Sequence, residues 1–254
     1  MRTLAGLLLV TLFISACGRK GPLIYPDMLA PAAPTSVTAR QAGQAMKLSF
    51  VLPQKDRAGH GLKNLAGVTI FKRSATMSQG PECKACSEDY ALFKKLYLDI
   101  PLTDSSVQRY GNQIVLLDSD VRGGDEYSYT VTTFTKVALE GQTSLPVTTG
   151  MFPPPLAPSL KVVSEPTEVQ LTFSGSSPEK GTFLGYNIYR ALKGEAMPFQ
   201  PLNKEPLNAK SYVDIGIARN TSYVYVARTV VRMPGGELVE SEPSNEVVAQ
   251  LANE

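Results

Sequence analysis

Short runs in which apolar and polar residues alternate cover most of the chain, and they are separated by Gly, Pro, Asn and Asp. No long stretch places apolar residues every three to four positions, as an amphipathic helix would. The runs are rich in Val, Ile, Thr, Tyr and Phe, which are typical of strands. The pattern therefore predicts an all-β protein built from antiparallel sandwiches.

The strand-like runs occur twice, in the same order. The matching pairs are 46–50 (MKLSF) with 169–173 (VQLTF), 67–72 (GVTIFK) with 185–190 (GYNIYR), 127–131 (YSYTV) with 223–227 (YVYVA), and 144–146 (SLP) with 241–243 (SEP). This repetition predicts two tandem modules, which we place at residues 35–152 and 153–251. The proline-rich stretch 151–158 between them predicts a stiff joint.

Period-two alternation assigns one face of each run to a core. The residues expected to point inward are Met46, Leu48, Phe50, Val68 and Ile70 in the first module, and Val169, Leu171, Phe173, Tyr186 and Ile188 in the second. Tyr127 and Tyr223 each follow an aspartate by nine residues, Asp118 and Asp214. Both tyrosines fit a tyrosine corner, in which the hydroxyl ties a loop of the sandwich to the strand that follows it.

The proline-rich start of each module, the strand ending in Phe and the Tyr-x-Tyr-x-Val strand resemble the fibronectin type III family. The runs Tyr186-Asn187-Ile188-Tyr189-Arg190 and Ser241-Glu242-Pro243-Ser244-Asn245-Glu246-Val247 make the second module the stronger match. The resemblance implies that each module is an immunoglobulin-like sandwich. Phe50 and Phe173 stand near the position where that family usually carries tryptophan, and this chain contains no tryptophan.

The first residues do not fit the alternating pattern. Arg2 is followed by the apolar run 7–14 (LLLVTLFI), which is too short to span a bilayer and is typical of a secretory signal peptide. The segment Ile14-Ser15-Ala16-Cys17 resembles the lipobox of bacterial lipoproteins. That resemblance implies removal of residues 1–16 and a membrane anchor through lipid on Cys17.

Residues 17–26 (CGRKGPLIYP) resemble the start of a family of small proteobacterial lipoproteins, which includes one that assists maturation of the lipopolysaccharide translocon. The resemblance implies a lipid anchor and a candidate interaction segment formed by Lys20, Gly21, Pro22, Leu23, Tyr25 and Pro26. Gly18, and not Asp, follows the cysteine, which by analogy with enteric bacteria implies sorting to the outer membrane. Prolines 22, 26, 31 and 34 predict an extended, non-helical tether over residues 17–34, because proline removes a donor and restricts its neighbour.

Cys83 and Cys86 are the remaining cysteines, and they lie in an insertion. The modules are offset by 118 residues at Gly67 and Gly185 but by 96 at Tyr127 and Tyr223, so the first carries 118 − 96 = 22 extra residues, around 74–110. In an oxidising compartment such a pair predicts a local disulfide. A thiol–disulfide enzyme is the alternative, although no βαβ unit is visible. The loop from Phe50 to Gly67 is also five residues longer than its counterpart.

Charge and composition narrow the function classes. The 25 basic and 23 acidic residues show no basic excess, which argues against nucleic acid as a partner. With one histidine and no recognisable catalytic constellation, we expect no cofactor, no metal and no enzymatic activity. The leading interpretation is an envelope lipoprotein whose modules bind a protein or glycan. The alternative is an envelope-biogenesis factor that acts on an outer-membrane machine through its lipidated start.

Overall fold

The computed structural model describes residues 25–77 and 90–252, and these ranges contain fifteen β-strands and one 3₁₀ turn, Pro26–Leu29. No helix in these ranges has the length and apolar character needed to cross a bilayer. The strands are β1 (Thr35–Ala42), β2 (Ala45–Val51), β3 (Leu65–Thr76), β4 (Ala91–Tyr97), β5 (Val107–Tyr110), β6 (Gln113–Asp118), β7 (Asp125–Thr135), β8 (Val147–Gly150), β9 (Ser159–Ser164), β10 (Val169–Ser174), β11 (Thr182–Leu192), β12 (Ser211–Asp214), β13 (Tyr223–Arg232), β14 (Leu238–Glu240) and β15 (Val247–Ala249).

Each module is a sandwich of two antiparallel sheets. In the first module, the sheet β1-β2-β6-β5 faces the sheet β4-β3-β7-β8. In the second, β9-β10-β12 faces a sheet in which β13 pairs with β11, β14 and β15. In fibronectin nomenclature, the C, F and G strands share one sheet of each module: β3, β7 and β8 in the first, and β11, β13 and β15 in the second. The A, B and E strands share the other sheet: β1, β2 and β6 in the first module, and β9, β10 and β12 in the second. Both modules have the immunoglobulin-like, fibronectin type III fold.

The two cores contain the residues that alternation assigns to them. In the first module Met46, Leu48, Phe50, Val68 and Ile70 are fully buried. Val169, Leu171, Phe173, Tyr186 and Ile188 are buried together in the second. The aromatic pair Phe173 and Tyr186 packs in this core with ring centroids 5.1 Å apart.

The paired glycines of the repeat mark an irregularity in the same strand of both modules. The register of β3 shifts between Leu65 and Gly67, and that of β11 shifts between Phe183 and Gly185. A Cβ on Gly67 would lie 2.1 Å from the Phe134 ring, and one on Gly185 would lie 2.5 Å from the Leu207 carbonyl. Only glycine permits these close approaches, which explains its presence in both copies.

The two corner tyrosines bind as expected. The hydroxyl of Tyr127 accepts the Arg122 amide at 2.7 Å, and that of Tyr223 accepts the Ala218 amide at 3.2 Å. Both bonds reach back five residues along the chain. Each tyrosine therefore fixes the loop that connects the E and F strands.

A buried ion pair lies beside each corner, and the next tyrosine of the strand joins it. In the first module Lys72 contacts Asp118 at 2.7 Å, and the Tyr129 hydroxyl donates to the same carboxylate at 2.7 Å. In the second, Arg190 contacts Asp214 at 2.7 Å and Tyr225 donates to it at 2.9 Å. We call each set of cation, carboxylate and tyrosine a corner triad. The pKa of both Tyr129 and Tyr225 is raised, mainly because the hydroxyls are buried and also because each lies beside a negatively charged aspartate. Both hydroxyls therefore stay protonated and donate hydrogen bonds.

One pairing in the predicted repeat is wrong. Ser144 was matched with Ser241, but its hydrogen bonds correspond to those of Ser244. Ser144 accepts the Val131 amide at its hydroxyl, and Ser244 accepts the amide of Ala227, the residue equivalent to Val131. Ser241 makes the same type of bond to Thr229, two residues further along β13. The segment between β14 and β15 thus uses the motif twice.

The tether prediction also needs correction, because its described part is neither fully extended nor detached. Pro26–Leu29 forms a 3₁₀ turn, which proline at its first position favours. Ala30 is buried, and backbone hydrogen bonds join the segment to the long loop after β2. These bonds run from Arg57 N to Ala30 O, from Ala58 N to Met28 O and from Ala32 N to Lys55 O. The long loop after β2 therefore binds the described part of the leader.

Candidate functional site

Most of the site residues expected from the sequence lie outside the described ranges. They are Cys17, Lys20, Gly21, Pro22 and Leu23 in the leader, and Cys83 and Cys86 in the insertion. Tyr25 and Pro26 are described. The Tyr25 side chain is 69% exposed, and Pro26 begins the 3₁₀ turn. The predicted anchor and disulfide remain predictions.

The described part of the insertion has two structural roles. Strand β4 pairs with β3 and completes the sheet edge, and β5 pairs with β6 at the edge of the other sheet. The side chains of β5 then bind the second module, as described below. The insertion thus contributes to a contact between the modules, which the sequence did not predict.

A single sheet of eight strands runs through both modules. Its continuity depends on β1, which pairs in parallel with β14; Gln41 lies opposite Val239 and Ala42 opposite Glu240. Beyond the strand, the Gly43 amide donates to the Glu240 carbonyl at 3.0 Å and the Gln44 amide to the Glu242 carboxylate at 2.8 Å. The A strand of the first module therefore extends the C-F-G sheet of the second.

Beneath this junction lies a small apolar cluster. Phe152, from the segment joining the modules, packs against Val231, Met233 and Val239 of the second module. Val231 and Val239 are almost fully buried. The joint is thus held to the turn between β13 and β14, and it does not act as a free spacer.

Two glutamine side chains of the first module bind backbone groups at the junction, one in the joining segment and one in the second module. Gln41, fully buried, donates from Nε2 to the Phe152 carbonyl at 2.7 Å and accepts the Phe152 amide at Oε1 at 2.9 Å. Gln108 of β5 donates to the Met197 carbonyl at 2.9 Å and accepts the Phe199 amide at 2.8 Å. Burial at the junction shields one backbone N–H and one backbone carbonyl from water at each of these places. Each glutamine side-chain amide forms a hydrogen bond with both groups.

The buried polar centre of the junction contains side chains from both modules. Lys47 of β2 contacts Glu240 of β14 at 3.0 Å. Glu240 also accepts hydrogen bonds from Asn187 at 2.7 Å and from the Tyr189 hydroxyl at 2.9 Å. We call Lys47, Glu240 and Tyr189 the junction triad. All of its polar atoms that face inward have partners, so the buried charge is compensated.

The electrostatics of the junction triad follow from burial and from this pairing. Burial by itself would raise the pKa of Glu240, but the Lys47 ammonium and the hydrogen bonds from Lys47 and Tyr189 outweigh it, and the pKa lies below its usual value. Burial, reinforced by the Glu240 charge, raises the pKa of Tyr189 well above its usual value. Glu240 is thus ionised and Tyr189 is a hydrogen-bond donor at neutral pH.

Above the junction triad the two modules enclose a cleft of about 530 Å³. Its floor is the outer face of the eight-stranded sheet, and residues 199–206, which follow β11, form the opposite wall. We call this space the inter-module cleft. Its volume lies within the roughly 300–1,000 Å³ typical of small-ligand sites. The charged side chains that line it are Arg40, Lys47, Lys204, Glu205, Arg232 and Glu240.

The side chains that line the cleft can bind a polar ligand, but they form no recognisable set of catalytic residues. Within residues 25–77 and 90–252, no cluster of three or more His, Cys, Asp or Glu side chains could hold a metal ion. The lining consists of four cations, two carboxylates, hydroxyls, side-chain amides and a few apolar side chains. Such a surface can hold a polar ligand by charge and hydrogen bonds.

Comparisons with known proteins add a likeness of fold only. No family model and no curated protein matches the chain. Among solved structures, the chicken CNTN1 FN1–FN3 domains are similar at 15% identity and a TM-score of 0.34, over 94% of this chain and 75% of that one. A structure described as a myokine is similar at 14% identity and a TM-score of 0.31, over 39% of this chain and 99% of that one. At these scores the superpositions carry no argument, and the fold assignment rests on strand order.

Sequence reasoning missed every residue of the junction. Lys47 and Glu240 lie on the outer faces of β2 and β14, away from the cores, and so have the pattern of exposed positions. Gln41 lies opposite Met46 on the inward face of β1, and its sequence position gives no sign of its partner Phe152. One signal was available: Val226 and Val230 are apolar on the outer face of β13, and both are buried. Apolar residues on both faces of a strand indicate that a second surface covers it.

Proposed function

We propose that the chain is an outer-membrane lipoprotein whose two fibronectin type III modules form one rigid, non-enzymatic interaction unit in the cell envelope. The inter-module cleft is its binding surface. The main support for this proposal is that neither module forms the cleft alone. Strands of both modules form its floor, and residues 199–206 of the second module form its wall. Fibronectin type III folds typically serve as interaction or scaffold modules, and ligands commonly bind where two such units meet.

The lipobox-like segment and the docked leader support an arrangement close to a membrane. From Gly18 to Tyr25 there are eight residues, which can span at most about 30 Å. From Met28 onward the backbone is bound to the first module. A lipid on Cys17 would therefore hold the leader-binding end of that module near the bilayer.

Anchoring is tested by metabolic labelling with a clickable fatty acid. The native chain should carry the label and fractionate with membranes, and the Cys17→Ser variant should do neither. The reason is that acyl chains supply about 0.8 kcal/mol per buried CH₂, and two or more chains give a stable anchor. Label retained on Cys17→Ser would contradict the proposal.

The binding role is tested by crosslinking and capture from solubilised membranes. The full chain should recover a specific partner or glycan that a chain carrying only the leader does not recover. As a matched control, the Glu240→Gln variant keeps both modules but weakens the junction, and it should recover less. Recovery of the same partner by the leader alone would contradict a role for the modules.

One observation favours a second candidate, action on an outer-membrane machine through the leader. Tyr25 is 69% exposed and stands directly before the docked segment, so the candidate interaction residues Lys20 to Pro26 are not all covered by the module. Under this alternative, alanine replacement of Lys20, Leu23 and Tyr25 should abolish partner capture, and Glu240→Gln should leave it unchanged.

A further inference from the structure

Three cations that line the inter-module cleft form no ion pair with any acidic side chain of residues 25–77 and 90–252. They are Arg40, Lys204 and Arg232. All three are exposed to the solvent of the cleft. Two acids share the described lining: Glu240, which Lys47 neutralises, and Glu205. The cleft therefore carries a surplus of two positive charges in a chain whose overall charge is nearly balanced.

The strand register places two of these cations in one row. Arg40 of β1 lies opposite Lys47 of β2, and Arg232 of β13 lies opposite Leu238 of β14. Because Gln41 pairs with Val239, Arg40 lies beside Leu238 on the next strand. Arg40 and Arg232 are thus two strands apart, roughly 10 Å at about 4.8 Å per strand. Their side chains project from the same face of the sheet.

The position of Arg40 opposite Lys47 is electrostatically unfavourable. Like charges directly opposite each other on paired strands are destabilising. Glu240 compensates Lys47, but Arg40 faces Lys47 without a carboxylate of its own. A negatively charged ligand between Arg40 and Arg232 would supply the counter-charge that Arg40 lacks. Arginine is suited to phosphate and carboxylate because it donates two parallel hydrogen bonds.

The floor of the cleft limits the class of ligand. Strands β1, β2, β13 and β14 are interior strands of the sheet with a partner on each side, so an extended peptide cannot add to them as a further strand. Recognition must use side chains. Between and beside the cations these include Thr38, Ser49 and Gln113, which offer hydroxyl and amide groups. Cations combined with short polar side chains suit a ligand that bears acidic groups and many hydroxyls.

We infer that the inter-module cleft binds an anionic saccharide, whose phosphate or carboxylate groups contact Arg40 and Arg232 and whose hydroxyls contact the polar side chains of the floor. The inference rests on the proposed non-enzymatic binding function and names the class of ligand. Lys204, on the opposite wall, is the third contact to an acidic group.

The test is isothermal titration of the full chain with five probes. Trigalacturonate supplies carboxylates on sugar rings, and glucose 1,6-bisphosphate supplies phosphates on one. Inorganic phosphate supplies charge without hydroxyls, maltotriose supplies hydroxyls without charge, and hexaglutamate supplies charge on a peptide. We expect binding of at least one of the two anionic saccharides. We expect the other three probes to bind at least tenfold more weakly or not at all.

Variants assign the binding to the cleft. Arg40→Gln and Arg232→Gln should each weaken the affinity for the anionic saccharide at least tenfold, because each removes a charged hydrogen-bond donor. Lys161→Gln, an exposed change on β9 in the opposite sheet of the second module, is the matched control and should leave the affinity unchanged. Thermal unfolding of all three variants should stay close to that of the native chain.

Three results would overturn the inference: no binding of either anionic saccharide, equal binding of inorganic phosphate or hexaglutamate, or binding that survives Arg40→Gln combined with Arg232→Gln. Tight binding of hexaglutamate alone would assign the cleft to acidic peptides. Partner capture by the full chain that Arg40→Gln and Arg232→Gln leave unchanged would refute this inference and leave the proposed interaction role in place.

Discussion

The corner triads and the junction triad are built from the same three kinds of side chain, yet they differ in what they hold together. Each corner triad lies within one module, and its aspartate and tyrosine are eleven residues apart in both copies. The junction triad joins two modules, and Lys47 and Glu240 are 193 residues apart. A buried cation–carboxylate–tyrosine set thus stabilises a single sandwich in two places and a contact between sandwiches in the third.

The corner triads should therefore affect the stability of each module, and the junction triad should affect how firmly the two modules are held together. Loss of a corner triad should destabilise the module that contains it, because it leaves a buried charge without its partner. Loss of the junction triad should leave both modules folded and free them from each other. The predictions below use that contrast, beginning with the largest effect.

Asp118→Ala should destabilise the first module by about 3–5 kcal/mol, because it leaves the Lys72 ammonium buried without its carboxylate. The free energy of unfolding in urea measures the loss. Asp214→Ala is the matched change in the second module and should affect only that module's transition. A loss below about 1 kcal/mol in both variants would contradict the role assigned to the corner triads.

Glu240→Gln should weaken the junction by about 2–3 kcal/mol while leaving each module's own unfolding transition nearly unchanged. The glutamine keeps the shape of the side chain but loses its negative charge. That charge pairs with Lys47, and it also makes the hydrogen bonds from Asn187 and Tyr189 stronger than bonds to a neutral acceptor. Small-angle scattering should report a larger radius of gyration than that of the native chain. The double variant Lys47→Met with Glu240→Leu, which removes both charges, should recover the native radius.

Acid should weaken the junction, as the Glu240→Gln substitution does. The folded-state pKa of Glu240 is lowered, so its stabilising contribution is present above the unfolded pKa of about 4.3 and is lost as the pH falls through the lower folded value. We expect the radius of gyration to rise as the pH falls below about 4. The Glu240→Gln variant has no carboxylate there and should show no such step. An identical step in both proteins would assign the transition to other groups.

A glycine pair gives the smallest effect. Gly43 and Gly111 have nearly the same positive φ, 61° and 60°, but a Cβ on Gly43 would lie 2.3 Å from the Glu242 carboxylate, whereas one on Gly111 would meet nothing within 4 Å. Gly111→Ala should cost about 1 kcal/mol for backbone strain alone. Gly43→Ala should cost a few tenths more, since the Glu242 side chain can move. Urea unfolding of the two variants measures the difference.

The sequence predicted the modules because their determinants repeat. The core alternation at Met46, Leu48 and Phe50 and the corner tyrosines Tyr127 and Tyr223 occur at corresponding positions in both copies. The match of Ser144 with Ser241 is wrong because the segment between β14 and β15 carries the serine motif twice. The 3₁₀ turn at Pro26 was missed because proline is as compatible with the first turn of a helix as with an extended chain.

The junction could not be predicted for a different reason. Gln41, Gln108 and Glu240 each occur once, and their partners are distant in the chain, so neither alternation nor repetition identifies them. Polar residues on the outer face of a strand are the usual pattern of a solvated surface. The cleft cations Arg40 and Arg232 become a pair only when the register of β1 and β14 is known.

The central claim, that β1 and β14 form one sheet, is tested most directly by amide hydrogen exchange in the intact chain. The Gly43 amide donates to the Glu240 carbonyl across the junction. It should be strongly protected at neutral pH and lose that protection in Glu240→Gln, while the amides of Leu48 and Leu171 in the two cores stay protected. Exchange of the Gly43 amide near its intrinsic rate in the native chain would contradict the shared sheet and the cleft that depends on it.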